Sequence, residues 1–235
     1  MLALRVAAPA ALLSTLLFAA VAAADEPVPE PPPPAYPKNP AQVLDIGVFL
    51  DIGVRLGGSA SFSTVERAAP GFGLGAAYSP SKWWGVGLEF NHAYLGHESD
   101  GAGAFGAVDV TRNLNSLWLD LDIHFLRNEN LDGWVKLGPG LVWMTESASN
   151  LALDGIGMGA QTFTCSETDS ARLGLRGGVG LGIPLGSNVF VAPMILAEGD
   201  QLGSDPVSGC APGPGTVGVL SFRVAFFHRS ILSGG

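Results

Sequence analysis

The sequence predicts an all-β fold, an eight-stranded antiparallel up-and-down transmembrane β-barrel. Three observations carry this. The 235-residue chain is apolar, with mean hydropathy +0.33 and only 14% charged residues, against about 25% in an average soluble domain. After residue 24 no run reaches the ~18 apolar residues that a membrane helix needs. Apolar residues instead recur at every second position through successive short segments, which is the period of a strand.

Residues 1–24 are expected to be a signal peptide. Met1 to Arg5 carries one positive charge, Val6 to Ala20 is apolar, and Ala22, Ala23 and Ala24 precede Asp25, the small-residue pattern of a cleavage site. Removing the segment takes Lys+Arg from 12 to 11 against 21 acids, leaving a charge of about −10. That balance argues against nucleic-acid binding, which needs a basic face. Residues 25–42 read as a proline-rich periplasmic spacer, with eight prolines between Asp25 and Ala41. Such a stretch adopts extended polyproline II. It serves either as a disordered leader or as a tether to a periplasmic partner or the cell wall.

The barrel is expected over 43–229. Leu44, Ile46, Val48, Leu50, Ile52, Val54 and Leu56 alternate with Asp45, Gly47, Phe49, Asp51, Gly53, Arg55 and Gly57. A helix would scatter these apolar residues around its axis. The same alternation recurs in Phe72, Leu74, Ala76 and Tyr78, in Trp84, Val86, Leu88 and Phe90, and in Leu117, Leu119, Leu121, Ile123 and Phe125. It returns in Val135, Leu137, Pro139, Leu141 and Trp143, and in Ala171, Leu173, Leu175, Val179, Leu181 and Ile183. The segment 189–197 is apolar on both parities, so its orientation is open. Leu220, Phe222, Val224 and Phe226 complete an even count of strands, as in bacterial single-chain barrels.

Connections alternate in length. Residues 79–82, 127–133 and 184–188 are short turns, and 57–70, 95–112, 144–170 and 198–215 are long loops. Outer-membrane barrels place short turns in the periplasm and long loops outside. The parity opposite the apolar one is mostly Gly, Ala and Ser with a few charges, which suits a lumen barely wide enough for side chains. Aromatics gather near the turns (Tyr78, Trp83, Trp84, Phe125, Trp134) and near the loops (Phe90, Tyr94, Trp143), the heights of two interfacial girdles. The apolar parity is therefore expected to face lipid.

This pattern resembles the small outer-membrane β-barrel families typified by the transmembrane domain of outer membrane protein A and by the outer membrane protein W group. The resemblance covers 43–229 and rests on architecture. It implies residence in the outer membrane of a Gram-negative cell, insertion by barrel assembly machinery, and contact with outer-membrane lipids. These families include both plugged barrels and narrow channels. Such barrels usually end on an aromatic, whereas here Phe226 and Phe227 are followed by His228 to Gly235, and residues 230–235 read as a C-terminal tail.

The inward parity collects the candidate site. Asp51, Glu89, Asp120, Arg176 and Arg223 fall near mid-barrel, Asp45, Asp122, His124 and Lys136 lower, and Arg55 and Arg172 near the loops. Charges in a narrow lumen are costly unless paired, so they read as an acid–base network. It either plugs and rigidifies the barrel or lines a narrow polar path. Cys165 and Cys210, in adjacent long loops of an exported chain, read as a disulfide. None of His92, His97, His124 and His228 has a serine partner at catalytic spacing, and no metal, phosphate or nucleotide motif is present, so no enzyme activity and no cofactor are expected. The leading expectation is a non-enzymatic, porin-like barrel with a structural or narrow-channel role. Alternatives are an adhesin or ligand-binding barrel acting through its loops, and a soluble periplasmic barrel that carries a ligand.

Overall fold

The structure is a computed structural model and describes residues 40–57, 68–100, 108–128, 130–152, 162–168, 170–201 and 216–234. The expected signal peptide and most of the spacer lie outside these. The elements are β1 (Pro40–Gly57), β2 (Ala68–Ser79), β3 (Trp84–Asp100), β4 (Val108–Arg127), β5 (Asp132–Ala152), β6 (Thr162–Thr168), β7 (Arg172–Pro184), β8 (Val189–Gln201) and β9 (Thr216–Gly234).

Each strand pairs antiparallel with its neighbours in the order β4-β3-β2-β1-β9-β8-β7-β5, and a β4–β5 pairing closes the ring. Closure leaves no lipid-exposed edge, a condition for crossing a bilayer with strands. The ninth strand does not break the eight-strand count. Thr145 on β5 pairs with Thr168 on β6, and Val142 pairs with Arg172 on β7. β6 therefore carries the line of β7 upward along the same edge of β5.

The alternation decides which way each side chain points. Ile46, Val48, Leu50 and Ile52 are 54–60% exposed, while Phe49 and Asp51 between them are 4% and 6% exposed. The apolar parity is on the outside. β8 presents Phe190, Ala192, Met194, Leu196, Glu198 and Asp200 to the lumen and Val189 and Ile195 to the exterior. It is apolar on both parities because its inward residues also pack. Phe190 stacks on Phe227 with centroids 5.3 Å apart, and Ala192 and Met194 pack on Trp134.

Large inward side chains require inward glycines opposite them. A Cβ on Gly140 would lie within 2.6 Å of the Trp118 ring, and one on Gly180 would lie 2.6 Å from the Trp134 ring, distances that real Cβ atoms essentially never show. Each indole lies against a wall with no side chain. Trp134 thus belongs to the lumen and not to the girdle where the sequence placed it, because it shares the parity of Lys136. Trp83, Trp84 and Phe125 remain exposed near the short turns.

The strands outrun their expected ends. β3 runs to Asp100 and β4 begins at Val108, both inside the loop expected over 95–112, and much of 144–170 becomes the paired strands β5 and β6. Residues 230–234, expected as a tail, are strand. β9 runs to Gly234, which pairs with Pro40, and the added residues satisfy backbone groups on β1 that would otherwise form an open edge.

Candidate functional site: a layered charge network in the lumen

The lumen is filled in layers. Toward the long-loop end lies an apolar cluster of Ala69, Leu114, Trp118, Val142, Met144, Val217 and Val219. Toward the short-turn end lie Trp134, Ala192 and Met194, with Ala225 and Phe227 against them. Charged side chains occupy the space between these clusters and the rim beyond the second.

Glu89 on β3 is the hub of the middle layer. It accepts hydrogen bonds from Lys136 Nζ at 2.6 Å, Arg176 Nη2 at 2.5 Å and Arg223 Nη1 at 2.7 Å. Asp120 on β4 accepts from Arg176 Nε at 2.8 Å and also from Nη2. Asp51 on β1 accepts from Arg223 Nη2 at 2.9 Å. Asp122 lies 3.4 Å from Lys136 Nζ. Four carboxylates and three cations thus tie together β1, β3, β4, β5, β7 and β9 across the barrel. The Arg223 guanidinium lies 3.7 Å from the Phe49 ring centroid, and that of Arg176 lies 4.9 Å from the ring of Trp118, so cation–π attraction also holds both arginines.

A second cluster closes the short-turn rim around Asp132, the fully buried first residue of β5. Asp132 meets His124 Nδ1 at 2.7 Å, Arg127 Nε at 3.0 Å and Arg229 Nη2 at 2.7 Å. Arg229 also makes a two-pronged pair with Asp45, at 2.8 Å for each bond. Arg127 Nη2 lies 2.9 Å from His124 Nε2. Arginine can only donate, so His124 Nε2 accepts and Nδ1 carries the proton that it donates to Asp132. Between the two clusters is a cavity of about 70 Å³ bounded by Phe49, Glu89, His124, Trp134, Phe227 and Arg229. It has room for a few waters.

The structure therefore brings Asp51, Glu89, Asp120, Asp122, Lys136, Arg176 and Arg223 into one cluster, and places Asp45 and His124 in another. Arg172 joins neither: it is half-buried, and its Nε has no hydrogen-bond partner. The Arg55 side chain and Cys210 lie outside the described residues, so the Cys165–Cys210 pairing does too. On the outer wall His92 hydrogen-bonds Asn115 at 2.8 Å.

Several network members are absent from the sequence reading. Arg229 shares the inward parity of Arg223, and continuing the β9 alternation a few positions further would have found it. Asp132 and Arg127 sat in an expected turn, where no parity can be read. Glu146, which pairs with Arg112 at 3.2 Å, and Glu198 and Asp200 sat in expected loops that are strand.

Residues 10–193 match the family described as outer membrane protein beta-barrel domain. Among solved structures, the Neisserial surface protein A is similar at 9% identity and TM-score 0.51, over 83% of this chain and 99% of that one. A major outer membrane protein from Thermus thermophilus matches at 16% identity and TM-score 0.49, over 80% and 99%. The attachment invasion locus protein of Yersinia pestis matches at 16% identity and TM-score 0.45, over 83% and 99%. No curated protein matches the sequence.

Proposed function

The chain belongs to the outer membrane protein β-barrel domain family, and from that premise we propose that it is a non-enzymatic barrel whose lumen is closed by its own charge network, with a structural role in the outer membrane. The observation that carries this reading is the Glu89 hub, three cations from three strands on one carboxylate. Moving any one of them aside leaves a charge buried without its partner, which is costly. Barrel assembly machinery inserts the chain after removal of residues 1–24, outer-membrane lipids surround it, and residues 25–39 extend into the periplasm as a spacer that ends where β1 begins at Pro40. Cys165 and Cys210 form a disulfide at the outer end.

Conductance tests the closed lumen. The refolded protein in a planar bilayer is expected to give no unitary current steps. Regular ion-selective steps from the wild type would replace this reading with a narrow channel.

One observation favours a second reading, an adhesin or ligand-binding barrel. β3, β4, β5 and β6 stay paired well past the last partners of β2 and β7: Asp100 pairs with Val108, Asp109 with Ser149 and Ala152 with Thr162. Such a raised four-stranded sheet would present recognition groups beyond the membrane. Replacing residues 97–111 and 147–166 with short turns, which spares Arg112, Met144 and Glu146, tests it. Loss of cell-surface attachment, with the barrel still folded, would favour recognition over a purely structural role.

A further inference from the structure

The outward wall changes character toward the tops of β3, β4, β5 and β6. Its last apolar row there is Phe90, Leu117 and Leu141, side by side in the strand registers. One row higher stand His92, Asn115 and Trp143, with the Trp143 ring 6.3 Å from that of Phe90. The next row holds Tyr94, Asn113, Thr145 and Thr168, and the one above it Thr111, Ser147 and Ser166. The Thr145 and Thr168 hydroxyls are 3.2 Å apart and those of Ser147 and Ser166 are 3.1 Å apart, both pairs exposed. No Asp, Glu, Lys or Arg stands among the described outward side chains of these rows. Charge is present at this height, but inside: Arg112 and Glu146, on the inward parity of β4 and β5, are buried and paired. A sheet face turned to bulk water ordinarily carries Lys and Glu, above all at an edge strand. Among the described residues β6 pairs only with β5, yet its outward Ser166 and Thr168 are neutral.

We infer that this neutral face is a binding platform for the sugar headgroups of glycolipid in the surrounding outer leaflet. The inference rests on the outer-membrane reading above. The face continues the lipid-facing parity of the same strands upward, so its neighbour is whatever stands directly above the acyl chains. Height decides between headgroups. Each row adds two residues, about 5 Å along the axis of a barrel whose strands tilt by about 40°. The three rows therefore rise about 15 Å above Leu117 and Leu141. A phospholipid headgroup layer is only about 5–8 Å deep, whereas a chain of sugars reaches the top row. The chemistry agrees. In each hydroxyl pair one oxygen donates to the other, which leaves the acceptor's own proton and further lone pairs for a ligand. The Asn113 amide offers donors and an acceptor together, as sugar hydroxyls require. Tyr94 and Trp143, both half-buried, give rings against which the apolar face of a sugar can pack.

The test uses the mature barrel refolded in a zwitterionic, sugar-free detergent, with folding of every variant checked by its heat-modifiable gel band. The probes are a lipopolysaccharide bearing its core sugars, the same glycolipid stripped to its acylated disaccharide, the soluble core oligosaccharide, and phosphatidylethanolamine. Unfolding temperature is followed against the concentration of each. The core-bearing glycolipid is expected to raise it saturably, and the stripped glycolipid only at about tenfold higher concentration. Thr145→Val combined with Ser147→Ala should raise the half-saturating concentration of the core-bearing glycolipid about tenfold, the loss of two neutral hydrogen bonds. The response to phosphatidylethanolamine should not change. Thr168→Val combined with Ser166→Ala, on the other strand of the ladder, should act alike. Equal potency with and without core sugars, or no effect of either double substitution, would overturn the inference. Soluble oligosaccharide as potent as the glycolipid would also overturn it, and would make the face a receptor for free glycans. Failure of the wild type to give a detergent-dependent folded band would overturn the outer-membrane reading itself, a result distinct from a folded barrel that ignores sugars.

Discussion

Replacing Glu89 by alanine is expected to lower the unfolding free energy of the refolded barrel by about 3–5 kcal/mol. The size follows from what remains. Lys136, Arg176 and Arg223 are 4%, 4% and 0% exposed, and all three donate to Glu89. Arg176 keeps Asp120, and Arg223 keeps Asp51. Lys136 keeps only longer contacts, at 3.5 Å to Asp120 and 3.4 Å to Asp122. The lumen then holds three cations against three acids in a space with little water. Denaturant unfolding in detergent, followed by tryptophan fluorescence and by loss of the compact gel band, measures the effect. Asp51→Ala should cost less, because Arg223 would still hold Glu89. A loss under about 1 kcal/mol for Glu89→Ala, the value of an exposed pair, would show that water reaches the network freely.

Leu50→Arg is expected to destabilise the barrel in a lipid bilayer by about 2–4 kcal/mol, the cost of a cation on the lipid face near the midplane. Leu50 is 55% exposed and sits beside Asp51, in the middle layer. On the surface of a water-soluble protein the same change falls within about ±0.5 kcal/mol. The sign and size of this one substitution therefore report what lies against the outer wall. Reversible urea unfolding in liposomes is the measurement, with Leu50→Ala as the control for lost apolar area.

Alternation made most of the wall legible. In β1 and β7, glycine or charge on one parity and branched apolar residues on the other leave one orientation that buries no charge in lipid. β8 was illegible because both its faces are apolar. Phe190, Met194 and Leu196 face other lumen side chains, while Ile195 faces outward, and period-2 reading cannot separate an apolar lumen from lipid. Trp134 failed for a related reason. An aromatic near a strand end suits either an interfacial girdle or a packed barrel floor, and only parity carried along from Lys136 decides.

The site was half legible. Charges inside clear strands, such as Asp51, Glu89, Asp120, Arg176 and Arg223, take their height and direction from strand counting. The rim cluster was not accessible in this way. Asp132 begins β5 directly after a turn, and its three partners come from β4 and β9, so sequence distance conceals the contact. Strand ends were underestimated because polar residues such as Glu146, Glu198 and Asp200 read as loop. In a barrel whose lumen is polar, a carboxylate at the end of an alternating run is as good a strand residue as any.

Detergent dependence of folding is the measurement to make first. The mature chain is refolded from denaturant with and without detergent micelles, then run on a gel before and after boiling and followed by circular dichroism. An apolar outer wall around a charged lumen predicts β-structure and a heat-modifiable band only where micelles cover that wall. A compact, β-rich monomer that stays soluble in plain buffer would contradict it.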